Sequence, residues 1–208
     1  MFEAFFVAWI GVVIAQVSPG PNMMAVASVA LGQGRREALL VALGVGSGTL
    51  VWAAAVAFGL GAVFQAFPVL LTVLKFVGGF YLLFMAVKAF RSILAGGNAS
   101  VAPTRVPLSG LGAWRRGFFV VMTNPKAALM WSALATFLFG AGLNNAQVLA
   151  FGPLVAVSAI IIYGGYGLVF STGVATRAYG RFWRASEALF GAAFGALGLT
   201  LLVSAVRS

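Results

Sequence analysis

Hydrophobic and polar positions fall in long blocks along this chain. Apolar runs of about twenty residues or more are separated by short polar stretches. At about 1.5 Å per residue, each run is long enough as a helix to cross a bilayer core about 30 Å thick. Hydropathy and punctuation place six such spans at about 4–31, 38–64, 69–90, 115–140, 148–173 and 186–205. Two of them are interrupted: Ser18-Pro19-Gly20-Pro21-Asn22 divides the first, and Thr123-Asn124-Pro125-Lys126 divides the fourth. Proline lacks an N–H and clashes with the preceding turn, so no regular helix runs through either knot. Lipid cannot satisfy the freed backbone groups, and a break at membrane depth must be buried in protein or line a wet cavity. The pattern predicts an all-α integral membrane fold of six transmembrane helices, with helices 1 and 4 broken.

The connections add orientation. Arg35 and Arg36 follow span one; Lys88, Arg91, Arg105, Arg115 and Arg116 follow span three; Arg177, Arg181 and Arg184 follow span five. The connections 65–68 and 141–147 carry no charge. Basic residues gather on the cytoplasmic side, so both termini are predicted to face away from the cytoplasm. Trp114 and Trp183, each beside an arginine, suit the cytoplasmic interface belt. The stretch 92–112 is rich in small residues, Gly and Pro, and is predicted to be a cytoplasmic linker. It separates two three-helix transmembrane halves, 1–91 and 113–208. An odd number of spans per half makes the halves enter from opposite sides, and each begins with a broken helix. Paired interruptions of this kind mark inverted-repeat transporters with a site near the midplane. No residue-by-residue identity links the halves, so the repeat rests on pattern alone.

Composition then removes whole chemistries. The 208 residues are 62% hydrophobic and only 8% charged, against about 25% charged in soluble domains. There is no Cys, His or Asp, and the acids are Glu3, Glu37 and Glu187 alone. Thiol relays, Cys- or His-ligated metals and Ser–His–Asp hydrolysis are therefore excluded, and neither an enzyme nor a cofactor is expected. A net charge of +10 would point to nucleic acid in a soluble protein; here topology explains it, and no nucleic-acid partner is expected. The N-terminus has no basic region and its apolar run continues through the first knot, so it does not read as a cleaved signal peptide. The sequon Asn98-Ala99-Ser100 lies on the cytoplasmic side and reads as chance.

The chemistry that remains sits at the breaks. Where a helix restarts, its first N–H groups and the positive end of its dipole favour anions. Asn22 with the amides of Met23 and Met24 would form that end after Gly20, with Gln16 and Ser18 about one turn to the other side. A proline kink satisfied internally by Ser18 and Asn22 is the plainer reading. Asn124 is placed to cap a helix restarting at Pro125. Lys126 lies deep in its span, where a charge costs about 3 kcal/mol or more and usually marks a pathway or a substrate partner; the alternative is a lysine snorkelling to the headgroups. Lys75 has the same two readings. Glu37 reads as a helix-start acid. The pairs Gly44/Gly48 and Gly191/Gly195 allow close helix approach. Trp52 and Trp131 fall mid-span, where filling the bundle is the simpler role. The candidate substrate-binding set is Gln16, Ser18, Gly20, Asn22, Met23, Asn124 and Lys126.

The order of these features resembles the LysE/RhtB family of bacterial amino-acid exporters. Ser18-Pro19-Gly20-Pro21-Asn22 is similar to its Pro-Gly-Pro-Asn signature, and Gly34, Ala38, Gly44 and Gly48 follow its rhythm of small residues. Lys75-Phe-Val-Gly78-Gly-Phe-Tyr81-Leu82, ending at Lys88 and Arg91, resembles its third span. Gly117 and Asn124-Pro125-Lys126 resemble its second signature. The resemblance implies a proton-driven secondary carrier exporting amino acids, housed in a bacterial inner membrane and compatible with homo-oligomerisation. With no mid-span acid or His, a lysine, Lys126 or Lys75, is the candidate proton carrier. The same lack of acids predicts neutral cargo such as homoserine, threonine or an aliphatic amino acid. Cationic amino acids or another small solute form the alternative within transport, and a non-transporting membrane assembly factor the alternative outside it.

Overall fold

A computed structural model of the chain describes residues 2–18, 20–60, 67–94, 103, 104 and 106–172, with separate helical positions between 184 and 206. Pro19, Arg105, Arg177, Arg181, Trp183, Glu187, the sequon at 98–100 and the side chain of Lys75 lie outside the described residues. Among the described residues the chain is helical, with no strand. The continuous helices are α1 Phe2–Val17, α2 Pro21–Gln33, α3 Arg35–Ala55 with a π-helical turn Val56–Leu60, α4 Pro68–Leu94, α5 Gly110–Thr123, α6 Pro125–Gly140 and α7 Asn145–Phe170. Their ends fall within about five residues of the first five expected spans. Described positions of the sixth are helical.

Both knots interrupt helices as expected. The α1–α2 pair is bent by 47°. At the second break a single residue, Asn124, leaves the helix with ψ near 110°. Arg35–Gly59 and Asn145–Phe170 are each long and apolar enough to cross a membrane, and the bent α1–α2 pair passes the same test when its two helices are taken together. The turn from α2 to α3 is one residue, Gly34, at φ 94°, a left-handed conformation that favours glycine.

The chain divides into two compact units, residues 1–62 with 101–175, and residues 63–100 with 176–208. In the first unit α3 is the shared spine. Gly44 and Gly48 face α5, while Gly46, two residues from each, faces Ile160 of α7. The crossing with α5 is backbone on backbone. A Cβ built on Gly117 would lie 1.9 Å from the Val41 carbonyl oxygen, and one on Gly44 would lie 2.0 Å from that of Trp114. Lipid is as apolar as the side chains, so close packing of this kind, together with interhelical hydrogen bonds, holds such helices together. Trp52 Nε1 donates to the Val121 carbonyl at 3.2 Å and Trp114 Nε1 to Ser47 Oγ at 3.2 Å, tying the same pair. Gly117→Ala must push these backbones apart, at a cost of at least about 1–3 kcal/mol. The expected result is a lower Tm in detergent and reduced membrane levels. Gly11→Ala, where a Cβ meets nothing within 4 Å, should leave both unchanged.

A core cluster joins Val12 of α1, Ala53 and Val56 of the α3 segment, Trp131 and Leu138 of α6, and Phe151 and Val155 of α7. The opposite face of α1, with Phe6, Ile10, Ile14 and Val17 at intervals of three or four, is exposed and suits lipid.

The far end of the expected linker is docked. Thr104 N–H donates to the Ser28 carbonyl at 2.9 Å, and the hydroxyl of Thr104 and the guanidinium of Arg116 both donate to Ser28 Oγ at 3.2 Å. Gln33 Nε2 donates to the Val106 carbonyl at 2.8 Å, and its Oε1 accepts from Leu108 N–H at 2.7 Å. Ser109 then caps α5 by accepting from Gly112 N–H at 3.1 Å, so the helix starts at Gly110, earlier than the hydropathy indicates.

In the second unit α4 runs antiparallel to the helical positions near the C-terminus. Gly191 sits against Phe90, Gly195 against Ala86, and a Cβ on Gly79 would meet Leu202 at 2.7 Å. A Cβ on Gly191 would lie 3.0 Å from the Phe90 ring, a close approach, whereas one on Gly195 would make an ordinary contact at 3.8 Å.

Candidate functional site

The two breaks meet. Asn124 is the N-cap of α6: its Oδ1 accepts from Lys126 N–H at 3.0 Å, while Pro125 fills the first helical position, where no N–H is needed. The other half of the Asn124 amide, Nδ2, donates to Asn22 Oδ1 at 3.1 Å. Asn22, in the first turn of α2, passes the connection on, its Nδ2 donating to the Tyr163 hydroxyl of α7 at 3.3 Å. Asn22, Asn124 and Tyr163 are all buried. One cap, two amides and a phenol therefore couple α6, α2 and α7 through a single buried chain of hydrogen bonds.

Lys126 reaches the other way. Its Nζ donates to the Ser18 carbonyl at 3.0 Å and to Ser18 Oγ, whose own proton goes to the Ala15 carbonyl at 2.9 Å. The ammonium thus sits on the carbonyl end of α1, the negative end of that helix's dipole. It is held inward at the first break. Gly20 lies beside it: a Cβ there would be 3.5 Å from Lys126 Nζ, an ordinary contact.

A cavity of about 30 Å³ lies between these groups. Gln16, Asn22, Thr49, Asn124, Lys126, Trp131 and Tyr163 contribute to its wall, with Val121, Met130 and Ala159 among the apolar lining. Among the described residues, no carboxylate lines it. The space holds about two waters, less than any amino acid needs.

The candidate residues part into three groups here. Gln16, Asn22, Asn124 and Lys126 share the cavity, while Ser18 and Gly20 adjoin Lys126. Met23 is buried away from the cavity wall. The helix end expected to hold an anion is narrower than the sequence indicates, because Met24 N–H already donates to the Gly20 carbonyl at 3.0 Å. Gln16 is occupied as well: it donates to the Val155 carbonyl at 3.0 Å and accepts from Ser158 Oγ at 2.9 Å, tying α1 to α7. Glu37 is away from the site and pairs with Arg36 at 3.7 Å. Thr49, Tyr163 and Trp131 are wall residues that sequence reasoning missed or assigned to packing. A polar or aromatic residue in the middle of an apolar span is the only signal each carries.

Apolar helices of membrane length, broken where polar groups meet around a small cavity, suit an integral membrane transporter. The chain belongs to the family of LysE type translocators, whose family model matches residues 13–205. It is similar to a threonine efflux protein of Salmonella typhi, 25% identical over 205 residues that cover 98% of this chain and 100% of that protein. A threonine efflux protein of Escherichia coli (strain K12) is 25% identical over 193 residues, covering 92% of this chain and 94% of its own. A leucine efflux protein of Salmonella choleraesuis is 28% identical over 122 residues, 59% of this chain and 57% of its own. No solved structure matches the chain.

Proposed function

We propose that the protein is a secondary carrier that exports neutral amino acids, such as threonine or an aliphatic one, from the cytoplasm and draws on the proton gradient. The observation that carries this proposal is the joining of both helix breaks through Asn22 and Asn124 beside a cavity that, among the described residues, holds Lys126 and no carboxylate. Relatives with threonine and leucine efflux in their names support the cargo class. A cationic side chain would find no counter-ion in this wall and would be repelled by Lys126.

The proposal includes six transmembrane helices in two inverted halves, in a bacterial inner membrane, with both termini outside the cytoplasm. Gln16, Asn22, Asn124 and Lys126, with Ser18 and Gly20 beside Lys126, form the binding region, and Lys126 is the wall residue that can carry a proton. Entry of cargo requires the cavity to widen. An intramolecular hydrogen bond contributes only about 0.5–1.5 kcal/mol net, so the amide contacts across the breaks can be exchanged for contacts to the amino acid at little cost.

Cells loaded with dipeptides supply the test. Expression of the protein should raise the efflux of threonine or leucine several-fold over that of lysine and arginine. A preference for lysine or arginine would overturn the neutral cargo. Absence of any amino-acid efflux would overturn the carrier function and favour an assembly role.

A further inference from the structure

Trp131 carries a cost that packing does not explain. Its ring is fully buried, yet no protein group among the described residues accepts from its indole N–H. A buried donor left unmatched destabilises a fold, and phenylalanine would fill much of the same space without it. The indoles of Trp52 and Trp114 show the ordinary solution, each donating across a helix crossing. Trp9 also has a buried N–H without a partner, but it is not part of the cavity wall. Trp131 is, together with Asn22, Asn124, Lys126 and Tyr163.

The chemistry of the wall limits what can satisfy this group. An indole N–H only donates, so it needs an acceptor and cannot receive an ammonium. The Tyr163 hydroxyl accepts from Asn22 and retains its own proton to give. Lys126 adds a positive charge. Two donors and a cation, with no carboxylate on the wall, suit an anionic acceptor. Neutral donors to a carboxylate make charge-assisted hydrogen bonds, the stronger kind.

We infer that Trp131 is a substrate-binding residue, its indole N–H donating to the carboxylate of the transported amino acid, with the Tyr163 hydroxyl as the second donor. The inference rests on the function proposed above and names a contact within it. Val12, Leu134 and Leu138 belong to the same core cluster as the ring and keep it rigid, so little freedom is lost when cargo binds. No protein group accepts from this donor, so a cargo carboxylate can take it by displacing only water from the cavity.

The test compares threonine and leucine with their amides, threoninamide and leucinamide, as competitors of labelled exchange in proteoliposomes. In the unmutated protein the amino acids should compete far better than the amides. Trp131→Phe should narrow that gap by roughly 10- to 100-fold, the loss expected for a hydrogen bond to a charged group. Its Tm shows that the variant is folded, and a purely structural tryptophan would leave the gap unchanged. A second measurement needs no variant. The 15N-indole resonance of Trp131 should shift downfield on adding threonine and not on adding threoninamide. An unchanged gap in a folded Trp131→Phe protein, or equal shifts with acid and amide, overturns the inference. Failure of the unmutated protein to exchange either amino acid overturns the proposed function instead.

Discussion

Asn22→Ala abolishes export while the protein still accumulates in the membrane: this is the largest effect expected of a single substitution. Asn22 is the middle of the chain from Asn124 to Tyr163, accepting from one and donating to the other. Its removal strands a buried amide donor on Asn124, a penalty of about 1–3 kcal/mol, and separates the two breaks. Export should fall at least about fivefold on that ground alone. Asn124→Ala is less clean, since it also removes the cap of α6, worth about 1 kcal/mol. The double variant should be little worse than the more severe single one, because residues in one network do not add. Efflux of labelled amino acid, normalised to protein level by immunoblot, is the measurement. Unchanged efflux from Asn22→Ala would remove the cavity from the transport route.

Lys126→Met is the second. The Ser18 carbonyl and hydroxyl lose the ammonium they hold, and the carbonyl end of α1 loses its counter-charge. A cation at a helix C-terminus is worth up to about 2 kcal/mol and a charged hydrogen bond about 1.5–3, so a loss of more than about tenfold in every mode of transport is expected. Lys126→Arg separates charge from proton transfer. Arginine keeps the charge but does not deprotonate in proteins. It should retain exchange of labelled for unlabelled amino acid across proteoliposomes and lose uphill movement driven by a pH gradient. Uphill transport that survives Lys126→Arg would assign proton coupling to another group.

How far the chain could be read from its residues depended on the range of the forces involved. The breaks at Pro21 and Pro125 were readable because a proline acts on its own turn. The cap by Asn124 was readable because its partner, Lys126 N–H, is two residues away. The destination of the Lys126 side chain was not, since Ser18 lies 108 residues earlier and a snorkelling lysine has the same local sequence. Gln16 was expected to offer its amide to the cavity, but Ser158 and the Val155 carbonyl, far along the chain, take it. Trp131 was the hardest case. An indole within an apolar run reads as filling, and only the absence of a protein acceptor around it, among the described residues, distinguishes it from Trp52.

The contacts of the first break also set a problem of timing. Ser18 and Asn22 are made early, but their partners Lys126, Asn124 and Tyr163 lie 108, 102 and 141 residues further on. At about 5–20 residues per second, Lys126 leaves the ribosome roughly 5 to 20 s after Ser18. Through that interval the newborn α1–α2 pair holds polar groups that lipid cannot satisfy. The insertion machinery must therefore shelter this pair, or leave it near water, until the second broken helix arrives. A mutation at Asn124 or Lys126 can then fail during biogenesis as well as in transport, with the defect appearing first as clearance of the N-terminal helices by membrane quality control.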